Sequence, residues 1–235
     1  MADKPTLPRL LLTRPAEGSD RFLDALDARG VPIAGAVVSP AVDIVSVGDI
    51  VQVPDGAAAV FTSRHAVSRT RADVGTRAYC LGEATAEEAQ RLGYSPRVAG
   101  GTAEDLLQLL LADRPLNALV YCHGTHVRRD IGTPLRQAGV TLTAHVVYDQ
   151  PELAPNEAAR AVLGGREPII LPLFSPRTAQ IVKGWTQDRC ADDIVIALSN
   201  AVAEAWQTDA RVAVEPSMSA MVDEVAAICS SQGKG

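Results

Sequence analysis

The sequence predicts an α/β fold built from two similar lobes, because the chain repeats itself and alternates strand-like with helix-like segments. Residues 10–40 lie over residues 119–149 without a gap. Both stretches run from an apolar segment through a turn and an amphipathic helix to a glycine and a second apolar segment. A repeat this long indicates a duplicated domain rather than a solenoid. Continuous apolar strands that alternate with helices indicate parallel sheets covered by helices on both faces.

The first half shows this alternation in order. Phe22, Leu23 and Leu26 give the first helix its apolar face, and Gly30 supplies its stop. Pro40 lies inside a long extended stretch, which suits an edge or a connector better than a central strand. The predicted strands are 10–12, 58–61, 78–81 and 95–99, and the extended edge or connector covers 36–47. The predicted helices are 19–29, a short one after 62–64, 84–92 (closed by Gly93) and 103–112.

The second half repeats the scheme. Its predicted strands are 119–122, 142–148, 169–174, 194–198 and 211–214, and its predicted helices are 128–138, 157–163, 177–185, 201–206 and 219–228. Two further blocks recur in the same order: F-T-S-R-H-A at 61–66 returns as F-S-P-R-T-A at 174–179, and L-G-E-A-T-A at 81–86 as L-S-N-A-V-A at 198–203. Two similar lobes suggest a cleft between them as the functional site.

Composition narrows the class of protein. The 235 residues are 47% hydrophobic and 21% charged, which is ordinary for a globular chain. No apolar run approaches the roughly 20 residues of a membrane span, and the first residues form no apolar signal segment, so we expect a cytoplasmic protein without a membrane partner. The net charge of −6 argues against nucleic acid as a partner. Cys80, Cys122, Cys190 and Cys229 have no C-x-x-C spacing, and Cys80 and Cys122, which lie inside strand-like runs, are expected to be buried, reduced thiols.

Several familiar sites are missing. The chain has no G-x-G-x-x-G or Walker-type loop, which argues against a nucleotide cofactor, and no G-x-S-x-G nucleophile elbow. His123 and His126 have H-x-x-H spacing, compatible with either a metal site or a solvated strand-to-helix loop. We favour the loop, because no carboxylate or third histidine stands at ligand spacing nearby.

The loops that follow the predicted strands carry a stronger signal. In open parallel sheets, ligands bind at the carboxyl ends of the strands, where helix N-termini present free N–H groups. Each Ser or Thr there could instead be a simple helix N-cap. Taken together, however, small or polar residues with nearby arginines suit two anion-binding rims. The candidates are Thr13, Arg14, Thr62, Ser63, Arg64, Gly82, Glu83, Ala84, Thr85, Gly101, Thr102, His123, Gly124, Thr125, Ser175, Pro176, Arg177, Ser199, Asn200 and Ala201.

Tyr148 stands apart from these loops. It ends the apolar strand that begins near Ala144. A tyrosine at a strand end can be purely structural, with a buried ring and a wet hydroxyl, or it can be a functional group.

The blocks together resemble the uroporphyrinogen-III synthase family over nearly the whole chain, from Leu10 to Ile228. The matching motifs are L-L-T-R-P at 11–15, V-F-T-S-R-H-A-V at 60–67, L-G-E-A-T-A at 81–86, G-G-T-A-E-D-L-L at 100–107, L-R-Q-A-G-V at 135–140, V-V-Y-D-Q at 146–150 and F-S-P-R-T-A at 174–179. Their order and spacing are specific to the family.

The resemblance implies a discontinuous architecture. One lobe would contain residues 1–36 and 154–235, the other residues 46–144, and the stretches 37–45 and 145–153 would form a two-stranded antiparallel ladder that joins them. A thin hinge of this kind predicts motion of the lobes about a few residues.

The resemblance also implies a reaction. Members of the family close the linear tetrapyrrole hydroxymethylbilane to uroporphyrinogen III, losing water and inverting ring D through a spiro intermediate. Tyr148 falls at the position of the family's proposed general acid, although a substrate carboxylate could do the same work. Thr85 matches a family threonine of the cleft, whereas residues 199–203 depart from the family's G-P-T-T-A. The resemblance implies a monomer and neither a metal nor an organic cofactor.

Two other classes remain open. A non-catalytic bilobal module that binds a small anion would share the fold and the cleft, and would differ in Tyr148 and in turnover. A glycosyltransferase-like enzyme would need an Asp-x-Asp metal motif in a suitable loop, whereas Asp192-Asp193 precedes a predicted strand.

Overall fold

A computed structural model describes residues 8–113, 118–127, 129–187, 189 and 192–232. Cys190 and the predicted helix start at Arg128 lie outside the described residues. The chain divides into two compact units: unit 1 comprises Met1–Asp43 and Glu152–Gly235, and unit 2 comprises Ile44–Pro151. Unit 1 is therefore discontinuous in sequence, and unit 2 is a single insertion within it.

The secondary structure alternates as the pattern predicts. The strands are β1 Arg9–Leu12, β2 Val37–Val38, β3 Val45–Ser46, β4 Val51–Gln52, β5 Ala58–Phe61, β6 Thr70–Arg71, β7 Arg77–Cys80, β8 Ser95–Val98, β9 Leu119–Gly124, β10 Leu142–Asp149, β11 Ile169–Leu173, β12 Ile194–Ala197 and β13 Arg211–Val212. The helices are α1 Ala16–Asp27, α2 Arg64–Val67, α3 Glu83–Arg91, α4 Ala103–Asp113, α5 Gly132–Gln137, α6 Glu157–Leu163, α7 Pro176–Trp185, α8 Asn200–Trp206 and α9 Met218–Gln232.

Each unit contains a parallel sheet. In the described part of unit 1, the strand order is β13-β12-β11-β1-β2, and all pairs are parallel. In the described part of unit 2, the order is β3-β10-β9-β5-β7-β8, and the pairs are parallel except for β3 with β10. This confirms the predicted α/β class with parallel sheets.

Both faces of each sheet are covered by an apolar layer. In unit 1, Leu11 belongs to the layer that includes helices α6, α7 and α8, whereas Leu10 and Leu12 belong to the layer with α1 and α9. In unit 2, one layer includes α2 and α3 and the other includes α4 and α5. Successive strand residues therefore bury their side chains on opposite faces, which explains the continuous apolar runs in the sequence.

The repeated glycines end repeated helices. Gly30 after α1 and Gly139 after α5 have φ of +70° and +80°. In each case the next residue's N–H donates to a carbonyl five residues back, Val31 to Leu26 and Val140 to Leu135, both at 3.0 Å. These are Schellman motifs, in which only glycine adopts the left-handed conformation without strain. The predicted glycine stops are confirmed.

The two extended connectors are divided between elements rather than continuous. Val37–Val38 pairs in parallel with β1 in the sheet of unit 1. Farther along, Val42 forms an antiparallel bridge with Glu152, and Val45–Ser46 pairs antiparallel with Tyr148 and Asp149. The stretch 36–47, predicted to be an extended edge strand or connector, contains two short strands: the chain leaves the first sheet after Val38 and joins the second at Val45.

The helix predicted over 128–138 is also too long. The observed helix begins at Gly132, where the Asp130 carboxylate accepts hydrogen bonds from the N–H groups of Gly132 and Thr133 at 2.8 and 3.1 Å. This start keeps Pro134 in the first turn, where its missing N–H costs nothing. A second departure is the small parallel pair of β4 with β6, which is too short to give a sequence pattern.

Candidate functional site

The topology of unit 2 marks one edge of its sheet for ligand binding. From β5 the chain adds β7 and β8 on one side and then returns to add β9 and β10 on the other. The loops after β5 and β9 therefore diverge, which opens a crevice beyond the carboxyl ends of these two strands. Thr62 and Ser63 follow β5, and Gly124 ends β9.

A pocket of about 340 Å³ lies at this position. Its volume falls at the small end of the roughly 300–1,000 Å³ range of ligand pockets. Residues of the strand ends and of the loop after β9 line it: Thr62, Leu81, Gly101, Ala103, Tyr121, His123, His126, Val127, Arg129, Tyr148 and Gln150.

Tyr148 reaches the pocket because its strand is irregular. The register between β10 and β9 shifts between Val146 and Tyr148, so the consecutive residues Val147 and Tyr148 are both buried in one apolar layer. A bulge of this kind re-aims a side chain. Tyr148 then stands directly beside Gly124: a Cβ added to that glycine would lie 2.5 Å from Cε2 and Cζ of the tyrosine ring.

The Tyr148 hydroxyl is held as a neutral phenol. Burial raises its pKa, and hydrogen bonds from the Ser63 side chain and the Gly124 backbone offset only part of this effect. The phenol therefore keeps its proton at neutral pH and can donate it. Ser63 also caps α2, since its Oγ accepts a hydrogen bond from the N–H of His65 at 3.3 Å.

Tyr121 and His123 form a ring pair on the same pocket wall. They are two residues apart on β9, so both project from the same face of the sheet, and their ring centroids are 4.5 Å apart. Burial raises the pKa of Tyr121, and a hydrogen bond with the Thr62 side chain partly opposes this rise. Nδ1 of His123 lies 2.8 Å from the carbonyl oxygen of Gly124.

The structure places the two histidines of the H-x-x-H spacing in different elements. His123 is on a strand and His126 in the loop that follows, where its Nε2 is 3.9 Å from Asp149. No group of three or more potential metal ligands occurs among the described residues. His65 lies on α2, with its ring centroid 5.9 Å from that of Tyr148.

Among the other predicted binding loops of unit 2, one caps a helix and another has exposed residues. Thr102 and Asp105 hydrogen-bond each other reciprocally as a capping box, with backbone contacts of 3.0 and 3.1 Å, so Thr102 caps α4. A Cβ added to Gly82 would lie 4.0 Å from Cα of Gly101, which is an ordinary contact distance, and Thr85 is buried. The side chains of Glu83 and Ala84 are exposed in the first turn of α3.

The charge of Arg64 acts on an acidic side chain of α3. A hydrogen bond from Arg91 is the main cause that lowers the pKa of Glu88, and the charges of Arg64 and His65 contribute to the same shift.

Unit 1 has an equivalent edge beyond β1 and β11, where its strand order reverses. The Arg14 guanidinium lies over the Phe174 ring, 3.8 Å from the centroid, and its Nη1 is 3.5 Å from Sδ of Met218. The buried Thr13 hydroxyl makes no hydrogen bond within the described part of the chain. Polar and cationic groups thus gather at the predicted edge of this sheet too.

The serines in the neighbouring loops of unit 1 occupy helix N-cap positions. Ser175 caps α7 by accepting from the N–H of Thr178 at 3.1 Å, and Arg177 is 3.3 Å from Glu152. Ser199 occupies the N-cap position of α8 without a capping hydrogen bond from its side chain. Asn200 and Ala201 are exposed at the start of that helix.

Tyr121 and Phe174 are not among the candidate binding residues predicted from the sequence. Both side chains contact predicted site residues, Tyr121 through Thr62 and Phe174 through Arg14. Tyr-x-His at the end of an apolar strand was the available signal, because residues two apart on a strand share a face.

The chain matches the model of a known protein family. The model of the family described as uroporphyrinogen-III synthase HemD matches residues 20–223. No curated protein sequence matches the chain. Among the described residues, no helix has the length and apolar character to cross a membrane.

Two solved structures share the fold. Uroporphyrinogen-III synthetase from Helicobacter pylori has a TM-score of 0.65 at 19% identity, over 84% of this chain and 95% of that chain. A mutant uroporphyrinogen III synthase from the extremely thermophilic bacterium Thermus thermophilus has a TM-score of 0.55 at 14% identity, over 95% of this chain and 99% of that chain.

Proposed function

The chain belongs to the uroporphyrinogen-III synthase family, and from that premise we propose how its residues close hydroxymethylbilane to uroporphyrinogen III. The protein is a cyclising lyase of tetrapyrrole biosynthesis. The observation that carries the residue assignment is the buried, hydrogen-bonded phenol of Tyr148 on the wall of the pocket in unit 2.

Tyr148 acts as the general acid. The terminal hydroxyl of the bilane leaves as water when it receives a proton, and a neutral phenol at neutral pH has one to give. The phenolate that remains is stabilised by the hydrogen bond with Ser63 and by the cation that develops on the substrate beside it. Gly124 leaves the space in which the tyrosine ring lies.

The pocket binds the reacting end of the substrate. Its volume of about 340 Å³ suits one terminal pyrrole ring with its carboxylate arms rather than a whole tetrapyrrole. Thr62 and Gly101 border this ring, whereas Ser63 and Gly124 contact the Tyr148 hydroxyl. Arg129 also lines the pocket, where its guanidinium forms an ion pair with Glu104 at 2.5 Å, so a substrate carboxylate would compete with Glu104 for it. The N-terminal turn of α3, where Glu83 and Ala84 are exposed, offers backbone N–H groups to a further carboxylate, next to the buried Thr85.

Unit 1 offers a second set of groups suited to carboxylates at the equivalent edge of its own sheet. Arg14 and Arg177 supply charge there, and the Thr13, Ser175 and Ser199 hydroxyls supply hydrogen bonds. In the divergent loop at 199–203, backbone N–H groups of Asn200 and Ala201 take the place of the threonine hydroxyls that relatives carry. Arg64 and Thr102 of unit 2 contribute less, as do Arg129 and Arg177, because each of these side chains already interacts with a neighbouring group of the protein.

The enzyme works as a cytoplasmic monomer. Support for the compartment comes from Cys80 and Cys122, which are buried, free thiols typical of a reducing environment. Light scattering on the purified protein tests the oligomeric state: a mass near 24.7 kDa supports a monomer, and twice that mass contradicts it.

The decisive experiment for this function supplies enzymatically generated hydroxymethylbilane to the purified protein, with heat-denatured protein as the control. After oxidation, the uroporphyrin isomers are separated and quantified. We expect type III with the folded protein and type I with the control, because unassisted closure does not invert ring D. Type I alone with folded protein would instead support the non-catalytic binding module.

A further inference from the structure

We propose that His123 is the general base that removes the last proton from the substrate, a role that rests on the proposed function above. The assignment comes from three features of the structure: the histidine's place on the pocket wall, the hydrogen bond that fixes its tautomer, and its contact with Tyr121.

The reaction needs a base as well as an acid. The bilane and the cyclic product differ by one molecule of water. The hydroxyl leaves with one proton from the acid, and the new bond forms at a pyrrole α-carbon that still carries hydrogen. The electron pair of that C–H bond returns to the ring to restore aromaticity, so its proton must pass to a base. One proton is consumed and one is released, and the balance closes.

The hydrogen bond of His123 prepares one nitrogen for this work. Nδ1 lies 2.8 Å from the Gly124 carbonyl oxygen. Because a carbonyl only accepts, Nδ1 must carry the hydrogen, and in the neutral ring this leaves Nε2 as an unprotonated acceptor. The peptide that holds the imidazole belongs to the same glycine against which the Tyr148 ring packs, so one strand end orients both groups.

The position of His123 suits proton transfer. Its ring lines the same pocket as Tyr148 and also lines a second pocket of about 310 Å³ on the side of α5. The ring is half-buried between these two spaces. Tyr121 packs against it at 4.5 Å and fixes its plane. A substrate ring bound in the first pocket would therefore lie between residues that include both Tyr148 and His123.

Other ionisable groups line the same two pockets, and Glu104 of α4 pairs with one of them, Arg129; any of these groups can change the rate with pH. They are Tyr121 of β9, Tyr148 of β10, His126, Arg129 and Asp130 of the loop after β9, and Arg136 of α5. Of these, Asp130 is engaged as a helix cap, and His126 lies toward Asp149. A pH profile must therefore be compared between variants rather than interpreted alone.

The test compares wild-type protein with His123→Gln and His123→Ala, and uses His145→Gln as the matched control. His145 lies on the adjacent strand, paired with Cys122, and does not line either pocket. The kcat is measured per folded molecule, with the folded fraction taken from circular dichroism. The substrate is hydroxymethylbilane with either hydrogen or deuterium on the free α-carbon of ring D.

We expect both His123 variants to lose about 10²-fold or more in kcat, as for other general bases, with a smaller change in KM. Proton removal then limits the rate, so the deuterium effect becomes larger than in the wild type. The fall of kcat toward low pH becomes weaker, and added imidazole restores part of the activity of His123→Ala. His145→Gln keeps the wild-type kcat.

A His123→Gln protein with wild-type kcat and an unchanged deuterium effect would overturn the proposal. So would a loss of activity that neither enlarges the isotope effect nor responds to imidazole, because this would indicate a structural role. Failure of the proposed function is seen separately, since the wild-type protein would then yield only the type I isomer.

Discussion

Gly124 and Tyr148 occupy adjoining space at the end of the sheet in unit 2. A methyl group on Gly124 would overlap the tyrosine ring, with 2.5 Å between Cβ and Cζ, and the glycine has no positive φ that would require it for backbone reasons. The glycine is needed for space alone. Its substitution therefore tests the placement of the phenol without altering the phenol itself.

We expect Gly124→Ala to displace the Tyr148 ring and to lower kcat at least about tenfold, while overpacking costs roughly 1–3 kcal/mol of stability. The matched control is Gly184→Ala within α7, where an added Cβ meets no atom within 4 Å. That change should stabilise the protein by roughly 0.5–1 kcal/mol through helix propensity. Wild-type kcat in a folded Gly124→Ala protein would contradict the packing argument.

The buried thiols of Cys80 and Cys122 make the protein less stable as the pH rises into the alkaline range. Burial raises the pKa of each thiol from 9.0 to about 12. In the unfolded chain the thiols lose their protons first, so between these values the unfolded state binds fewer protons and stability falls as pH rises. We expect a lower urea midpoint at pH 10 than at pH 7.5, measured under reducing conditions.

The control for this pH effect is the double variant Cys80→Ala/Cys122→Ala, which should lose less of its stability between the two pH values. Some loss should persist, because burial also raises the pKa of Tyr94 and Tyr148. An equal loss in the variant and the wild type would show that the thiols are not responsible.

At the scale of elements, Asn156 joins a helix to a strand within unit 1. Its Oδ1 accepts from the N–H of Ala159 at 2.9 Å and caps α6, while its Nδ2 donates to the carbonyl oxygen of Val38 at 2.9 Å. One side chain therefore satisfies a helix end and binds the strand that leads toward the crossing into unit 2.

We expect Asn156→Ala to destabilise the protein by about 1–2 kcal/mol through loss of the cap. Asn156→Asp keeps the capping oxygen and loses only the donor to Val38, so it should cost less. Denaturation midpoints of the two variants measure the difference. Equal midpoints for Asn156→Ala and wild type would contradict the assigned role.

Sequence patterns predicted the elements that depend on local chemistry. The glycine stops after α1 and α5 and the strands of the sheets follow directly from apolar runs and turn residues. The patterns could not show where contacts with other residues change the start of a helix or the register of a strand. Asp130 delays the start of α5, and a bulge beside Val147 buries two consecutive residues of β10. The contact between Gly124 and Tyr148 depends on that bulge, so no spacing in the sequence revealed it.

At the scale of the whole molecule, each unit has its own core. The two apolar layers of unit 2 are formed by residues between Ile44 and Tyr148, and those of unit 1 by residues outside this range. No apolar layer among the described residues mixes the two units. Unit 1 is built from two separate stretches of sequence, but these two stretches pack into the same apolar layers.

We therefore expect the fragment 44–151 to fold alone, with a cooperative thermal transition followed by circular dichroism. The control fragment 1–117 has nearly the same length but lacks β9 and β10 of one sheet and β11 of the other. It should show no cooperative transition. An unfolded 44–151 fragment, or a folded 1–117 fragment, would contradict the assignment of independent cores.

The central claim, that the Tyr148 hydroxyl protonates the leaving group, is tested most directly by the kcat of Tyr148→Phe with hydroxymethylbilane. The ring and its packing remain, so stability should change by about 1 kcal/mol or less, while kcat should fall about 10²-fold, the low end for general acids. Tyr94→Phe is the control and should keep the wild-type kcat. The buried hydroxyl of Tyr94 forms a 2.7 Å hydrogen bond with Thr70, and Tyr94 does not line the pocket. Wild-type production of type III by a folded Tyr148→Phe protein would contradict the claim.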